Sequence, residues 1–312
     1  MDVVYGLPAR SDVSMPVVLT IGSYDGVHLG HRWLLSHVVD EAAREGGAAV
    51  VLTFDPHPRC VVDPLGCPPL LASVEERVRL LERSGVDRTI LLAFSRELST
   101  WPAERFCDAL TGAFPLRRIV AGPGFAVGHR RSGDLPFIRA YGAAHGFDVL
   151  TVEALTRSGA AISSSRIREA LREGRLDEAN DLLGRRYELR GAVVHGAGEG
   201  RRIGFPTLNL DVDQGRCIPA TGVYAAWCEV AGEWHAAAAS IGFRPTFGGD
   251  ALTIEAHLLD HSEDLYENRV TLAFEHRLRD EVNFPSVDAL VAQMSRDVEQ
   301  VRAVLASAAM PS

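Results

Sequence analysis

Val17-Val18-Leu19-Thr20-Ile21-Gly22-Ser23-Tyr24-Asp25-Gly26-Val27-His28-Leu29-Gly30-His31 is the stretch whose reading decides the fold of the first half of the chain. Five apolar or β-branched residues make a strand, Gly22 and Gly26 punctuate a turn, and His28 to His31 open a helical periodicity. A strand that feeds a helix through glycines gathers free backbone N–H groups and the positive end of the helix dipole in one place. That is a receptor for anions. Two imidazoles stand there, three residues apart and so able to face one side of the first turn. They either neutralise charge that builds on a phosphate during transfer or are incidental side chains at an exposed helix start. The strand–glycine–helix setting favours the first.

Outward from this turn, periodicity predicts strands at Val17–Ile21, Ala48–Phe54, Arg88–Phe94, Arg117–Ala121 and Phe147–Val152. Between them it predicts helices at Leu29–Arg44, Ser73–Ser84, Pro102–Leu110 and Leu135–His145. Gly46-Gly47 stops the first helix, and Ser73-Val74-Glu75-Glu76 is a capping-box pattern for the second. Strands separated by helices of this length read as βαβ units on a parallel sheet, a Rossmann-like α/β domain. Ligands bind such sheets outside the carboxyl ends of the strands, where Gly22–His31 falls. Phe54-Asp55-Pro56-His57-Pro58-Arg59 leaves the second strand at the same edge, and its prolines make a rigid loop that could hold an acceptor.

Helices at Ser165–Arg172 and Leu176–Leu183 follow, and then the pattern changes. Apolar or alternating runs at Tyr187–Val194, Val223–Val230, Trp234–Ile241, Leu252–Leu259 and Val270–Leu278 are divided by turns without helices. This is the signature of an antiparallel barrel or sandwich. A last helix, about Val287–Leu305, keeps Leu290, Val291, Met294, Val298, Val301 and Leu305 at helical spacing. The expected boundary lies near Gly184, giving domains 1–184 and 185–312.

Composition narrows the chemistry. The 312 residues carry a formal net charge of −9, which argues against broad nucleic-acid binding. There is no signal-peptide pattern, and no apolar run approaches the roughly 20 residues of a membrane span, so a cytoplasmic protein without membrane partners is expected. The five cysteines (Cys60, Cys67, Cys107, Cys217 and Cys228) include no Cys-x-x-Cys pair, so neither zinc nor a disulfide framework is indicated and buried free thiols are expected. There is no lysine at all. A Walker A lysine and a Schiff-base lysine are thereby excluded, and phosphate chemistry must rest on backbone amides, Arg, His and metal.

Three further stretches fit that requirement. Ile162-Ser163-Ser164-Ser165-Arg166-Ile167-Arg168 puts hydroxyls, free amides and arginines at a helix start, which is either a triphosphate receptor or a Ser-capped helix with solvated cations. The run from Gly196 to Asn209, with Gly198, Gly200, Arg201 and Gly204, is a glycine-dense loop entering a strand. It could bring amides against phosphates or be a plain hairpin. Thr207 and Asn209 share one face of that strand and are suitable oxygen ligands for Mg²⁺ beside ATP. Glu255 alternates with Leu252, Ile254, Ala256 and Leu258, so it is a charged outer-face residue unless the other face lines a cleft, where it would be a positioned base.

Gly22–His31, Thr53–Arg59, Ile162–Arg168 and Arg130-Arg131-Ser132-Gly133-Asp134 together resemble the adenylyltransferase half of the prokaryotic bifunctional riboflavin kinase/FAD synthetase family. Gly204-Phe205-Pro206-Thr207-Leu208-Asn209, Gly222–Ala225, Ile241–Phe247, Glu255–Asp260, Leu278–Glu281 and Asp297-Val298-Glu299 resemble its riboflavin kinase half. The resemblance implies that ATP phosphorylates riboflavin to FMN and that AMP is then joined to FMN. It implies His28 and His31 as catalytic groups, with Gly22, Ser23, Asp25, Gly30, Ser164, Ser165, Arg166 and Arg168 on the nucleotide. Asp55, His57 and Phe125 fall to the flavin. In the second half it implies Glu255 as the base for the ribityl hydroxyl, Thr207 and Asn209 on Mg-ATP, and Arg279 in a flap by the flavin. Small molecules (riboflavin, FMN, ATP) are the implied partners, with a monomer or weak homo-oligomer expected. The chain departs from the family at Ser23-Tyr24, usually Asn-Phe; at Pro123 and Gly124, usually acidic or amide residues; at Ser165, usually Thr; and at Ser240, often Asn. Gly124 keeps open an inactive adenylyl site or one for a flavin analogue or another acceptor, and a non-catalytic flavin-binding regulator is the rival from another class.

Overall fold

The strand–turn–helix at Val17–His31 lies at the centre of a parallel sheet in the computed structural model, which describes residues 1–9, 13–195, 199–246, 249–260, 265 and 268–311. Strands β1 (Asp2–Tyr5), β2 (Val17–Ile21), β3 (Ala48–Asp55), β4 (Arg88–Ala93), β5 (Leu116–Ala121) and β6 (Asp148–Thr151) are ordered β1-β4-β3-β2-β5-β6, all parallel. Every residue of β2 is buried, as a strand covered on both faces requires. Helices α1 (Leu29–Arg44), α2 (Val74–Glu82), α3 (Ala103–Ala113) and α4 (Leu135–His145) supply the cover. Val17, Leu19 and Ile21 of β2 join a core with Phe106 and Leu110 of α3, while Val18 faces Leu35 and Val38 of α1.

Local signals act as their chemistry suggests. His28 caps α1 and Gly46, at φ +59, lies just past its end. The Ser73–Glu76 capping box is formed at the head of α2. β1 was not anticipated; it is a four-residue edge strand, too short to show a period.

The chain divides into two compact units, Met1–Ser164 and Ser165–Ser312. The division falls after the first residue of α5 (Ser164–Arg172), so the second unit holds the rest of α5 and then α6 (Leu176–Leu183). Asn180 of α6 donates to Phe274 O at 2.9 Å and accepts from Tyr187 N at 2.7 Å, which fixes α6 on the barrel that follows. That barrel is closed and antiparallel: β7 (Tyr187–Val194), β8 (Leu208–Val212), β9 (Gly222–Val230), β10 (Glu233–Thr246), β11 (Gly249–Leu258) and β12 (Arg269–Arg279), in the order β7-β8-β11-β10-β9-β12. The final helix α7 (Val287–Ala306) buries Val301 and Leu305 against Ala225, Trp227 and Ala273.

One expectation about the cysteines is corrected. Cys60 and Cys67 form a disulfide, because the short helix Pro58–Val62 and the turn Pro64–Gly66 fold back and bring their Cα atoms to 4.2 Å. Cys107, Cys217 and Cys228 are buried free thiols, and burial pushes Cys107 up to about 11 and Cys228 up to about 12.

Candidate functional site

In the first unit the turn after β2 is held from several sides. Tyr24 (φ 49) and Val27 (φ 37) both adopt left-handed backbone, which costs an L residue roughly 1–3 kcal/mol unless its surroundings enforce it. Thr20 Oγ1 and Tyr24 OH share a hydrogen bond of 2.6 Å. The Asp25 carboxylate is buried and accepts from Leu71 N and Ala72 N at 2.9 and 3.1 Å, so it pins the segment leading into α2. Ser164 Oγ donates to Asp25 O at 2.9 Å, and Gly30 leaves room for the His28 ring and Ile162 O.

His28 Nδ1 accepts from His31 N at 3.2 Å, and the two rings stack with centroids 3.6 Å apart. Acceptance at Nδ1 leaves Nε2 as the ring nitrogen of His28 that can donate. Burial, and then the neighbouring His28, hold the His31 imidazole well below its ordinary value. A neutral His31 has a stability consequence. The unfolded chain takes up a proton below pH about 6.5 that the folded protein refuses. The contribution is therefore complete above that pH, and falls by up to about 1.4 kcal/mol per unit as pH drops toward the folded value. Urea unfolding of the first unit is expected to show lower stability at pH 5.5 than at pH 7.5, with the gap smaller in His31→Asn.

A cavity of about 720 Å³ opens beside this turn, walled by Gly22, Ser23, Phe54, Phe94, Trp101, Phe106 and Phe125, with Arg96, Arg130 and Arg131 also contributing. Aromatic walls with guanidinium groups suit a planar apolar ring that carries an anion. Gly128, at φ +76, sits where a Cβ would lie 2.6 Å from the Ala103 backbone, so glycine is required at this wall. Gly124 differs: a Cβ there meets nothing within 4 Å. Gly22, Ser23 and Phe125 thus reach the cavity, whereas Asp25, His28, Gly30 and His31, from the turn and the head of α1, are not among its walls. Asp55 ends β3, and His57 caps the next short helix by accepting from Arg59 N at 3.2 Å. Ser165, Arg166 and Arg168 belong to the second unit, where Arg166 Nη2 pairs with Glu178 at 2.9 Å and Arg168 is buried.

In the second unit, β8 and β11 pair so that Asn209 stands opposite Glu255. Ile254, Ala256 and Leu258 point into the core, which leaves Glu255 on the other face. That face lines a cavity of about 260 Å³ with Phe205, Thr207, His257, Arg279, Leu290 and Met294 among its walls. Thr207 Oγ1 donates to Glu255 Oε2 at 3.1 Å. Asn209 is not one of the cavity walls. Gly200 and Gly204 shape the entering loop: Phe205 N donates to Gly200 O at 2.8 Å and Gly204 has φ +91. Gly198 and Phe247 lie outside the described residues, as does the side chain of Arg201.

Arg279 is clamped. Its Nε and Nη2 donate to the Asp297 carboxylate at 3.0 and 2.7 Å, and Gln293 Nε2 adds a bond to Asp297 Oδ1 at 2.8 Å. The Asp297 side chain is 5% exposed against 21% for Arg279. Asp297→Ala leaves a half-buried guanidinium without its carboxylate. It is expected to cost the second unit stability at the low end of about 3–5 kcal/mol, read by urea unfolding.

The sequence reading missed the contributions of Trp101, Phe94 and Arg77. Arg77 lies on α2 at the i, i+4 spacing from Leu81, and both are buried. That inward spacing is the signal that could have found it.

Comparison with known proteins adds the following. Residues 11–166 match the FAD synthetase family, and residues 183–305 match the riboflavin kinase family. The chain is 36% identical to a bifunctional riboflavin kinase/FMN adenylyltransferase of Listeria monocytogenes, covering 93% of this chain and 92% of that protein. It is 35% identical to one of Pseudomonas fluorescens, with 99% of each covered. For one of Escherichia coli K12 the values are 36%, with 90% of each covered. Among solved structures, one described as a macrolide-efflux protein from Streptococcus pneumoniae superposes with a TM-score of 0.87 at 31% identity, covering 97% of this chain and 99% of that one. The efflux description belongs to that protein; what the two share is the architecture. Among the described residues no helix is long and apolar enough to cross a membrane.

Proposed function

Because the chain belongs to the bifunctional riboflavin kinase/FMN adenylyltransferase family, we propose that it phosphorylates riboflavin to FMN with ATP and then joins AMP to FMN, releasing pyrophosphate. We assign the first reaction to residues 185–312 and the second to residues 1–184. The observation that carries the reading is Glu255, hydrogen-bonded to Thr207 on the wall of the barrel's cavity.

In phosphorylation, the Glu255 carboxylate takes the proton of the ribityl 5′-hydroxyl as that oxygen attacks the γ-phosphorus of ATP. The new O–P bond forms, the bond to the β-bridging oxygen breaks, and ADP leaves. Catalysis is positioning plus charge neutralisation. The Gly200–Phe205 loop is closed by Ile203 N and Phe205 N on Gly200 O and leads directly to Thr207, and Arg279, held by Asp297 on the cavity wall, is assigned to the flavin. Thr207 and Asn209 offer hard oxygen donors next to a carboxylate, a set that fits Mg²⁺ shared with ATP phosphates. Bound there, the cation would neutralise phosphate charge.

In adenylyl transfer, an FMN phosphate oxygen attacks the α-phosphorus of ATP and pyrophosphate departs. His28 and His31, with the amides from Gly22 to Gly30, offset the charge of the transition state. Asp25 and Ser164 hold that turn in shape. Phe125, on the cavity wall, is assigned to the flavin ring, and Asp55 and His57 are assigned to the flavin from the loop after β3, outside the cavity walls. The partners are riboflavin, FMN and ATP, acting on a monomer or weak homo-oligomer in the cytoplasm. The test is incubation with riboflavin, Mg²⁺ and ATP followed by separation of the flavins. FMN followed by FAD is expected. FMN alone contradicts the second reaction, and neither product contradicts both.

A further inference from the structure

We propose that Arg77 is a positioning residue for adenylyl transfer, clamping the backbone at the ends of β2 and β3 so that the His28–His31 turn and the Asp55–His57 loop keep one spacing. The inference rests on the adenylyl-transfer reading above. Arg77 is 6% exposed. Its Nη1 donates to Ser23 O at 2.9 Å and its Nη2 to Phe54 O at 2.8 Å, so one planar group bridges the two strand ends. Thr53 Oγ1, from β3, also donates to Ser23 O at 3.1 Å. The doubly bound Ser23 carbonyl fixes the peptide that enters Tyr24, the first of the two left-handed residues in the turn. Strained backbone of this kind persists only where its surroundings over-determine it.

A buried guanidinium is costly, so a hydrocarbon side chain would serve better if α2 needed only packing. The head of α2 is already secured without Arg77, by the Ser73–Glu76 capping box and by the Asp25 carboxylate on Leu71 N and Ala72 N. What Arg77 adds to the Thr53–Ser23 bond is a tie from one guanidinium to both Ser23 O and Phe54 O, which reaches the loop beyond β3. Its positive charge also faces Asp25 and Asp55, whose carboxylates would otherwise set a repulsive field where a polyphosphate must come. The rigid fork of Arg matches two carbonyls at once; a lysine carries the charge without the fork.

The test uses the full chain and its variants Arg77→Lys and Arg77→Met. Amide hydrogen exchange is measured over residues 22–28 and 54–57, FAD formation from FMN and ATP is resolved into kcat and KM, and riboflavin phosphorylation serves as an internal control. Faster exchange is expected in both segments of both variants. The kcat for FAD formation is expected to fall about 10²-fold in Arg77→Met, the cost of a small misplacement at a reacting centre, with partial recovery in Arg77→Lys and unchanged phosphorylation. Unchanged exchange in either segment overturns the clamp. Faster exchange with unchanged kcat overturns its role in positioning. If the parent protein makes no FAD, the adenylyl-transfer reading is the one that fails, and exchange alone decides the clamp.

Discussion

Glu255→Gln is expected to cut riboflavin phosphorylation by about 10²–10⁴-fold, the range that a positioned general base contributes. Glutamine keeps the size of the side chain and can still accept the hydrogen bond from Thr207 Oγ1, which spans 3.1 Å in the parent. It cannot take a proton at neutral pH, so the variant isolates base catalysis from shape. When FMN is supplied directly, FAD formation is expected to continue at the parental rate. The measurement is the initial rate of FMN formation at saturating ATP, with and without added FMN. Parental phosphorylation in the variant removes the base assignment.

The second large effect is expected at His28. Its imidazole both caps α1 and stacks on His31, so His28→Ala mixes a capping loss of roughly 1 kcal/mol with any catalytic loss. Asparagine is among the best N-cap residues, so His28→Asn keeps the helix start and removes the imidazole. FAD formation is expected to fall about 10²–10³-fold in this variant, as on removing one donor from a transition-state charge, while phosphorylation is unchanged. Because the rings of His28 and His31 touch, a double variant is expected to lose less than the sum of the single losses.

Most of the architecture was legible because each element carries its own period and its own stop. Helix α1 runs from the residue after His28 to the residue before Glu45, with Gly46 just beyond, and its bounds follow from those signals. The barrel strands were legible as apolar or alternating runs, and β8 as the strand that the glycine-dense loop enters, which begins at Leu208, just after Thr207. The Cys60–Cys67 bridge was not legible, since a separation of seven residues closes only when a short helix and a turn fold back together. Glu255 could not be resolved from alternation alone. A period of two says which face a carboxylate takes, but not whether that face meets water or a cleft. Leu290 and Met294 of α7 decide it: both line the cavity that Glu255 also lines, rather than joining the core. Arg77 carried a weaker signal: it follows Glu75-Glu76 in a charged run, and only its i, i+4 spacing from the buried Leu81 marks it as inward.

The central claim is that two separate sites in one lysine-free chain carry two successive phosphate transfers. Complementation tests it most directly. Glu255→Gln is slowed in the first reaction and His28→Asn in the second, so each alone should convert riboflavin to FAD far more slowly than the parent in the presence of Mg²⁺ and ATP. A mixture of the two is predicted to restore FAD, because FMN made by one variant reaches the intact adenylyl site of the other. A mixture that makes no FAD although the parent does, or a single variant that makes FAD at the parental rate, would contradict it.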